Sequence, residues 1–174
     1  MTKAERTRQF IIEKTAPLFN TKGFNGTSLS DISAVTGLTK GSLYGNFADK
    51  EAIAAAAFRY SVNKVKQLVH QELEKATTYK DKLRRLLHFY ATYIFKPPIP
   101  GGCPLLNTAV EADDDHKSMK KQVADEIMKI IHFISTLLDE GKASGEFRKD
   151  IGSRELAFCI FCSIEGAVMV SRVT

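Results

Sequence analysis

The sequence GFNGTSLSDISAVTGLTKGSLYGNFADKE, residues 23–51, contains the signals for two short helices joined by a tight turn. Ser28 followed three residues later by Asp31 has the spacing of a capping box, which predicts a helix that begins at Ser28 or the residue before it. Gly37 ends that helix, and Thr39 is a good N-cap for a second one. This pattern predicts a helix-turn-helix, whose second helix can enter the major groove of DNA.

The side chains of this stretch suit a nucleic-acid interface. Lys40 and Ser42 lie in the first turn of the second helix, the end that meets base edges, and Gly41 allows backbone to come close to DNA. Helix N-termini favour phosphate, because their free N–H groups and the helix dipole attract anions. The predicted DNA-binding residues are Thr27, Ser28, Thr39, Lys40, Gly41, Ser42, Tyr44, Asn46 and Lys50.

Helical spacing of apolar residues continues along the rest of the chain, and no alternating strand pattern is sustained, so the predicted fold class is all-α. Pro17 is expected to disturb the first helix, because a proline inside a helix removes a hydrogen bond. The second short helix is predicted to extend from Thr39 through Tyr44 to Phe47. The other predicted helices are Lys3–Lys22, Lys50–Ala76, Asp81–Phe95, Cys103–Ala112, Ser118–Lys142 and Ser153–Val173.

Composition and charge narrow the class of protein. The chain has 174 residues, 44% hydrophobic and 26% charged, which is ordinary for one or two folded domains. Residues 1–50 carry +3 of the net charge of +5, which permits a nucleic-acid partner. Three cysteines do not make a disulfide scaffold and favour a reducing cytosol. No signal peptide and no apolar stretch of the ~18 residues that a membrane span needs is found, so we expect a cytoplasmic protein with no membrane partner.

Residues 23–51 resemble the DNA-binding domain of TetR-family transcriptional regulators. Ser33 stands where Ala is usual in that family, and Gly45-Asn46 stands where a larger residue and His or Tyr are usual. The positions that anchor the family pattern are present as Gly23, Phe24, Ile32, Gly37, Gly41, Tyr44, Phe47, Lys50 and Glu51.

The resemblance implies two domains in a bacterial cytoplasmic protein. Residues 1–48 would form a three-helix helix-turn-helix domain that binds DNA, and residues 49–174 a helical domain that binds an effector and dimerises. Residues 101–107, 145–148 and 165–167 resemble one subgroup of the family, in which one more helix usually follows, so a final helix beyond Thr174 is expected.

The resemblance also implies a mechanism. A homodimer would bind double-stranded operator DNA and be released by a small, largely apolar effector of unknown identity, acting most often as a repressor. Candidate residues of the effector pocket are Phe89, Tyr90, Tyr93, Cys103 and Phe133. The last helix is apolar almost all round, which predicts burial on several sides, some of them by another subunit. Candidate residues of the dimer interface are Phe158, Phe161, Cys162, Glu165, Val168 and Met169.

Three alternatives stay open at this point. Cys103 heads a helix, whose N-terminus would lower the pKa of its thiol, so a redox or electrophile sensor acting through this thiol is one of them. The others are a small helical enzyme and a protein-interaction module that does not bind DNA.

Cys159 and Cys162 are expected in the core. No catalytic motif is present. The cluster of Glu111, Asp113, Asp114, Asp115 and His116 is interpreted as helix capping and dipole compensation, so no enzyme activity, cofactor or metal is expected.

Overall fold

The computed structural model describes residues 1–93, 95–115 and 117–174. These residues form α-helices and no strand, which confirms the all-α prediction. The helices within these ranges are α1 (Lys3–Lys22), α2 (Leu29–Thr36), α3 (Lys40–Tyr44), α4 (Lys50–Leu73), α5 (Tyr79–Tyr93), α6 (Pro104–Asp115), α7 (Lys117–Ala143) and α8 (Ser153–Ser171).

The helices predicted from spacing are confirmed, with differences of a few residues at their ends. Pro17 lies inside α1, and the helix continues through it. The helix predicted to reach Ala76 ends before that residue. Helix α5 begins ahead of the predicted Asp81. The hydroxyl of Thr78 accepts a hydrogen bond from the N–H of Asp81 at 3.1 Å, and the carboxylate of Glu146 accepts one from the N–H of Lys80 at 2.9 Å, so two free donors of the first turn are satisfied.

A small apolar core holds α1 to α4 together. Ile11 of α1, Ile32 of α2 and Leu43 of α3 are fully buried against one another, together with Phe47 and Ile53. Each short helix thus supplies one large side chain to a shared centre. Because α3 is only five residues long, this packing rather than helix propensity fixes its position.

A second, larger core fills the space between α4 and the helices that follow it. Helix α4 contributes side chains to both cores, since Ile53 packs in the first while Ala54 and Phe58 pack in the second. At 1.5 Å per residue its 24 residues span about 36 Å. Helix α4 therefore connects the second core with the core that holds α2 and α3.

A polar link also joins the second core to the segment that leads into α2. The carboxylate of Glu111 on α6 accepts hydrogen bonds from the backbone N–H groups of Phe24 at 2.5 Å and Asn25 at 2.7 Å. On the same helix, the amide of Asn107 donates to the backbone carbonyl of Asn20 at 2.9 Å. Helix α6 is therefore tied to the end of α1 and to the loop after it.

Replacing Ser33 by alanine is expected to stabilise the chain. The hydroxyl of Ser33 is buried and has no hydrogen-bond partner in the described part of the chain. A buried, unsatisfied hydroxyl costs about 1–3 kcal/mol, so Ser33→Ala should raise the free energy of unfolding by about 1 kcal/mol. Urea unfolding followed by circular dichroism measures this. Ser30→Ala is the control, since Ser30 is exposed on the same helix; an equal gain in both variants would contradict the prediction.

Candidate nucleic-acid interface and ligand cavity

Local signals set the geometry of the helix-turn-helix. The hydroxyl of Ser28 accepts a hydrogen bond from the N–H of Asp31 at 3.1 Å, and the Asp31 carboxylate accepts one from the N–H of Ser28 at 2.8 Å. Gly37 has a φ of +68°, a left-handed conformation that glycine adopts without strain, and it turns the chain after α2. The hydroxyl of Thr39 then accepts from the N–H of Ser42 at 3.2 Å, and α3 begins.

Helix α3 presents most of its predicted DNA-binding residues at the surface. Thr39, Lys40, Gly41 and Tyr44 are exposed, and 47% of Tyr44 is open to solvent although its ring is large and apolar. A side chain placed on Gly41 would meet only the Thr39 hydroxyl oxygen, at 3.9 Å from its Cβ. Packing within the chain therefore does not require glycine at this position, and the small residue leaves room for a partner's backbone to approach.

Thr27 was wrongly predicted to contact DNA. Its side chain is fully buried, and its hydroxyl donates to the carbonyl of Gly23 at 2.6 Å. The hydroxyl closes the turn between α1 and α2, so it is not available to a phosphate.

Two other residues predicted to contact DNA, Lys50 and Asn46, use their polar side-chain atoms for hydrogen bonds within the chain. The ammonium of Lys50 donates to the carbonyls of Phe24 and Thr27, each at 2.9 Å, and lies 4.0 Å from the centre of the Phe24 ring. The side-chain amide of Asn46 donates to the carbonyl of Ser42 at 2.9 Å, within α3 and its C-terminal turn. These bonds give both residues a structural role, and their contact with DNA stays a prediction.

Ser28 is also engaged, since its hydroxyl lies 2.6 Å from the carboxylate of Asp31. Asp31 pairs with Lys22 at 2.8 Å, and the hydrogen bond from that lysine lowers the pKa of the carboxyl. The carboxylate occupies the N-terminus of α2, where a phosphate contact of Ser28 was predicted.

Arg8 is a surface residue beside α3 that the sequence did not reveal. Its guanidinium stacks 3.9 Å from the centre of the Phe47 ring and donates to the backbone carbonyl of Asn46. The side chain is exposed, so it adds positive charge next to the C-terminal end of α3. No local motif indicates this contact, because 38 residues separate Arg8 from Asn46.

A cavity of about 500 Å³ opens between α4, α5, α7 and α8. That volume lies within the usual range of small-molecule sites, ~300–1,000 Å³. Two of the five predicted pocket residues, Tyr90 and Phe133, line it. The other lining residues are Asn63, Lys66, Gln67, Val69, His70, Leu86, Lys129, Ile130, Ile134, Phe161, Ile164 and Glu165.

The other three predicted pocket residues do not line the cavity but pack behind it. Phe89 makes an edge-to-face contact with Tyr90, with ring centres 5.2 Å apart. Tyr93 is buried and its hydroxyl donates to the carbonyl of Gly102 at 3.2 Å. Cys103 is buried, and its thiol donates to Oε1 of Glu165 at 3.2 Å. The prediction of these residues as pocket walls was therefore wrong.

The expectation of a low pKa for Cys103 was also wrong. Burial raises the pKa of the Cys103 thiol well above its usual range, and the nearby carboxylate of Glu165 raises it further. Burial likewise raises the pKa of Tyr90 and of Tyr93. The N-terminus of α6 does not outweigh the loss of solvent, so this environment favours the protonated thiol over the thiolate.

Only some of the residues of α8 that were predicted at the dimer interface are exposed. Val168 is buried in the chain's own core, and both Phe161 and Glu165 line the cavity. Helical spacing explains the positions of Val168 and Phe161, which share the inward face with Ala157 and Ile164, while Glu165 lies at the border of that face. Phe158, Cys162 and Met169 lie on an adjacent, exposed face, and Cys159 is exposed as well. The two cysteines of α8 are therefore not core residues as expected.

The acidic run Asp113–His116 lies outside the residues whose side chains the structure describes. Among the described helices, none is long and apolar enough to cross a membrane.

Comparison with known proteins identifies the family. Residues 11–57 match the profile described as bacterial regulatory proteins of the tetR family, and residues 80–174 match the profile of the tetracyclin repressor-like C-terminal domain. The chain belongs to the TetR family. It is a DNA-binding transcriptional regulator, and TetR-family regulators are not enzymes.

Solved TetR-family structures share the whole fold. The regulator from Cytophaga hutchinsonii is 42% identical with a TM-score of 0.93, over 100% of this chain and 87% of that one. The regulator from Chloroflexus aurantiacus is 39% identical with a TM-score of 0.94, over 99% and 87% of the two chains. A curated relative, the HTH-type transcriptional repressor DhaR of Mycobacterium sp. (strain GP1), is 25% identical over 95% of this chain and 82% of its own length.

Proposed function

We propose that this TetR-family regulator is a repressor that a small, largely apolar effector releases from its operator. The observation that carries the proposal is the cavity of about 500 Å³ between α4, α5, α7 and α8, whose walls are mostly aliphatic and aromatic. The name of DhaR, a transcriptional repressor of the same family, supports repression. We assign DNA binding to residues 1–48, and effector binding and dimerisation to residues 49–174.

The exposed surface of α3 is the proposed reader of the operator. In a homodimer, two copies of α3 enter successive major grooves, about 34 Å apart. The ammonium group of Lys40 and the hydroxyl of Tyr44 can bind the phosphates or base edges of duplex DNA, and Gly41 allows close approach of the backbone. A change in the distance between the two copies of α3 then lowers operator affinity.

Two helices connect the cavity with the DNA-binding end. Helix α4 lines the cavity and also contributes Ile53 to the first core. Helix α6 is held at its start by the bond from Cys103 to Glu165, a cavity residue, and at its other end Glu111 holds Phe24 and Asn25. An effector that moves these helices releases DNA if it binds the released state more tightly than the DNA-bound state.

Filling the cavity tests the proposal. We expect Ile130→Trp to abolish release of operator DNA by small apolar compounds, because Ile130 is a partly buried wall of the cavity and an indole occupies its space. Fluorescence anisotropy of labelled operator DNA is measured against a panel of alkyl alcohols, alkylamines and alkyl carboxylates. Operator affinity without compounds should be unchanged in this variant.

The matched control is Met128→Trp, because Met128 lies on the same helix but is exposed and does not line the cavity. It should respond to compounds as the unaltered protein does. Release that persists in Ile130→Trp, or a panel in which no compound releases DNA from the unaltered protein, would contradict the proposal.

A further inference from the structure

Glu165 places an unpaired carboxyl oxygen in the wall of the cavity. Its Oε1 accepts the hydrogen bond of the Cys103 thiol at 3.2 Å. Its Oε2 is buried and has no hydrogen-bond partner in the part of the chain that the structure describes. A buried carboxylate without a partner is costly, and burial correspondingly raises the pKa of Glu165. The site is thus incomplete without a group that satisfies this oxygen.

The cations of the cavity do not supply that group. Lys66 and Lys129 lie at its solvent-open side, with 43% and 63% of their side chains exposed. Both ammonium groups bind the carboxylate of Glu126, at 3.0 Å and 2.6 Å. Among the described residues, no lysine or arginine pairs with Glu165. Within the described residues, therefore, no side-chain cation completes Glu165.

The walls beside Glu165 suit an organic cation. Tyr90 and Phe161 line the cavity near aliphatic residues, and aromatic faces attract cations as well as apolar groups. The hydroxyl of Tyr90 makes no hydrogen bond within the described residues, so it can accept one from a ligand. An ammonium group offers three donors, enough for both this hydroxyl and the free oxygen of Glu165.

We propose that the cavity binds an amphipathic amine, whose apolar body fills the space between α4, α5, α7 and α8 and whose ammonium group pairs with Glu165. The inference rests on the proposed function, since it names the chemical class of the effector for that cavity. Pairing at Glu165 also acts on its bond to Cys103, the residue that precedes α6.

Three probes of equal length test the ligand class: decylammonium, decanol and decanoate. Calorimetric titration of the full chain without DNA should show decylammonium binding at least about tenfold more tightly than decanol, with decanoate weakest. Glu165→Gln should weaken decylammonium by about 10- to 100-fold, since it removes the charge and keeps the shape, and should change decanol less than about threefold.

Matched variants keep the test interpretable. Glu155→Gln removes an exposed carboxylate from the same helix and should leave the affinities for all three probes unchanged. Glu165→Asp keeps the charge and should retain the preference for decylammonium, which serves as the test if Glu165→Gln does not fold. Equal affinity for decylammonium and decanol, tightest binding of decanoate, no binding of any probe, or an unchanged decylammonium affinity in Glu165→Gln overturns the inference.

Operator release is measured separately, so the two proposals can fail independently. Selective decylammonium binding that depends on Glu165 but leaves operator DNA bound supports the amine site and contradicts release by the effector. Release of DNA by decanol but not by decylammonium supports the release mechanism and overturns the amine site.

Discussion

Alanine at Lys40 or Tyr44 is expected to lower operator affinity about thirtyfold or more while leaving the fold intact. A direct contact with DNA contributes about 1–3 kcal/mol, and the substitution occurs twice in a dimer, which gives about 2–6 kcal/mol. Both side chains are exposed on α3, so their loss creates no cavity in the core. The variants should therefore unfold at the same temperature as the unaltered protein.

Salt dependence separates the roles of the two residues. Lys40→Ala should reduce the slope of log affinity against log salt concentration by about 1 for each subunit, because a phosphate contact with an ammonium releases counterions. Tyr44→Ala should lower affinity without changing that slope, because its hydroxyl is neutral. Lys149→Ala, at an exposed lysine in the loop before α8, is the control and should bind as the unaltered protein does. If both variants at α3 bind the operator normally, the proposed reading surface is wrong.

The sequence predicted the helix-turn-helix well because its determinants are local. The capping box of Ser28 and Asp31, the left-handed Gly37 and the cap at Thr39 each act within four residues. Prediction failed where a polar side chain is buried because it hydrogen-bonds to the nearby backbone. Thr27 belongs to a polar stretch, but its bond to the carbonyl of Gly23 takes it out of the surface.

The ligand cavity could be predicted only in part, because several helices from distant parts of the sequence form its walls. Tyr90 and Phe133 were found through their residue type. Glu165 was predicted at the dimer interface and not as a cavity residue, since an almost uniformly apolar helix does not reveal which of its faces packs inward. The bond between Cys103 and Glu165 spans 62 residues, and no local pattern indicates it. Burial of Cys103 raises the pKa of its thiol. The prediction of a lowered pKa failed because it considered only the position of Cys103 at a helix N-terminus.

The outward face of α8 leads to the second large effect, since Phe158→Asp is expected to convert a dimer into a monomer. Phe158 is 56% exposed, and Met169 and Val170 on the same helix are 52% and 51% exposed, so large apolar side chains face solvent in the single chain. A partner subunit that covers them would bury the carboxylate of the substituted residue, which costs several kcal/mol without a counter-charge. Sedimentation equilibrium measures the mass. Val110→Asp, at an apolar site on α6 that is 74% exposed, is the control and should stay dimeric.

Loss of the dimer should weaken operator binding even though α3 is unchanged. Each subunit reads only a half-site, and joining two half-sites raises affinity by about 10²- to 10⁴-fold, because the second contact becomes intramolecular. The monomer of Phe158→Asp should therefore bind the full operator at least about 100-fold more weakly, yet bind an isolated half-site as the unaltered protein does. This pattern distinguishes a dimer contact from damage to the fold, which would weaken half-site binding too. A Phe158→Asp protein that remains dimeric would mean that the exposed apolar face of α8 does not form the subunit interface.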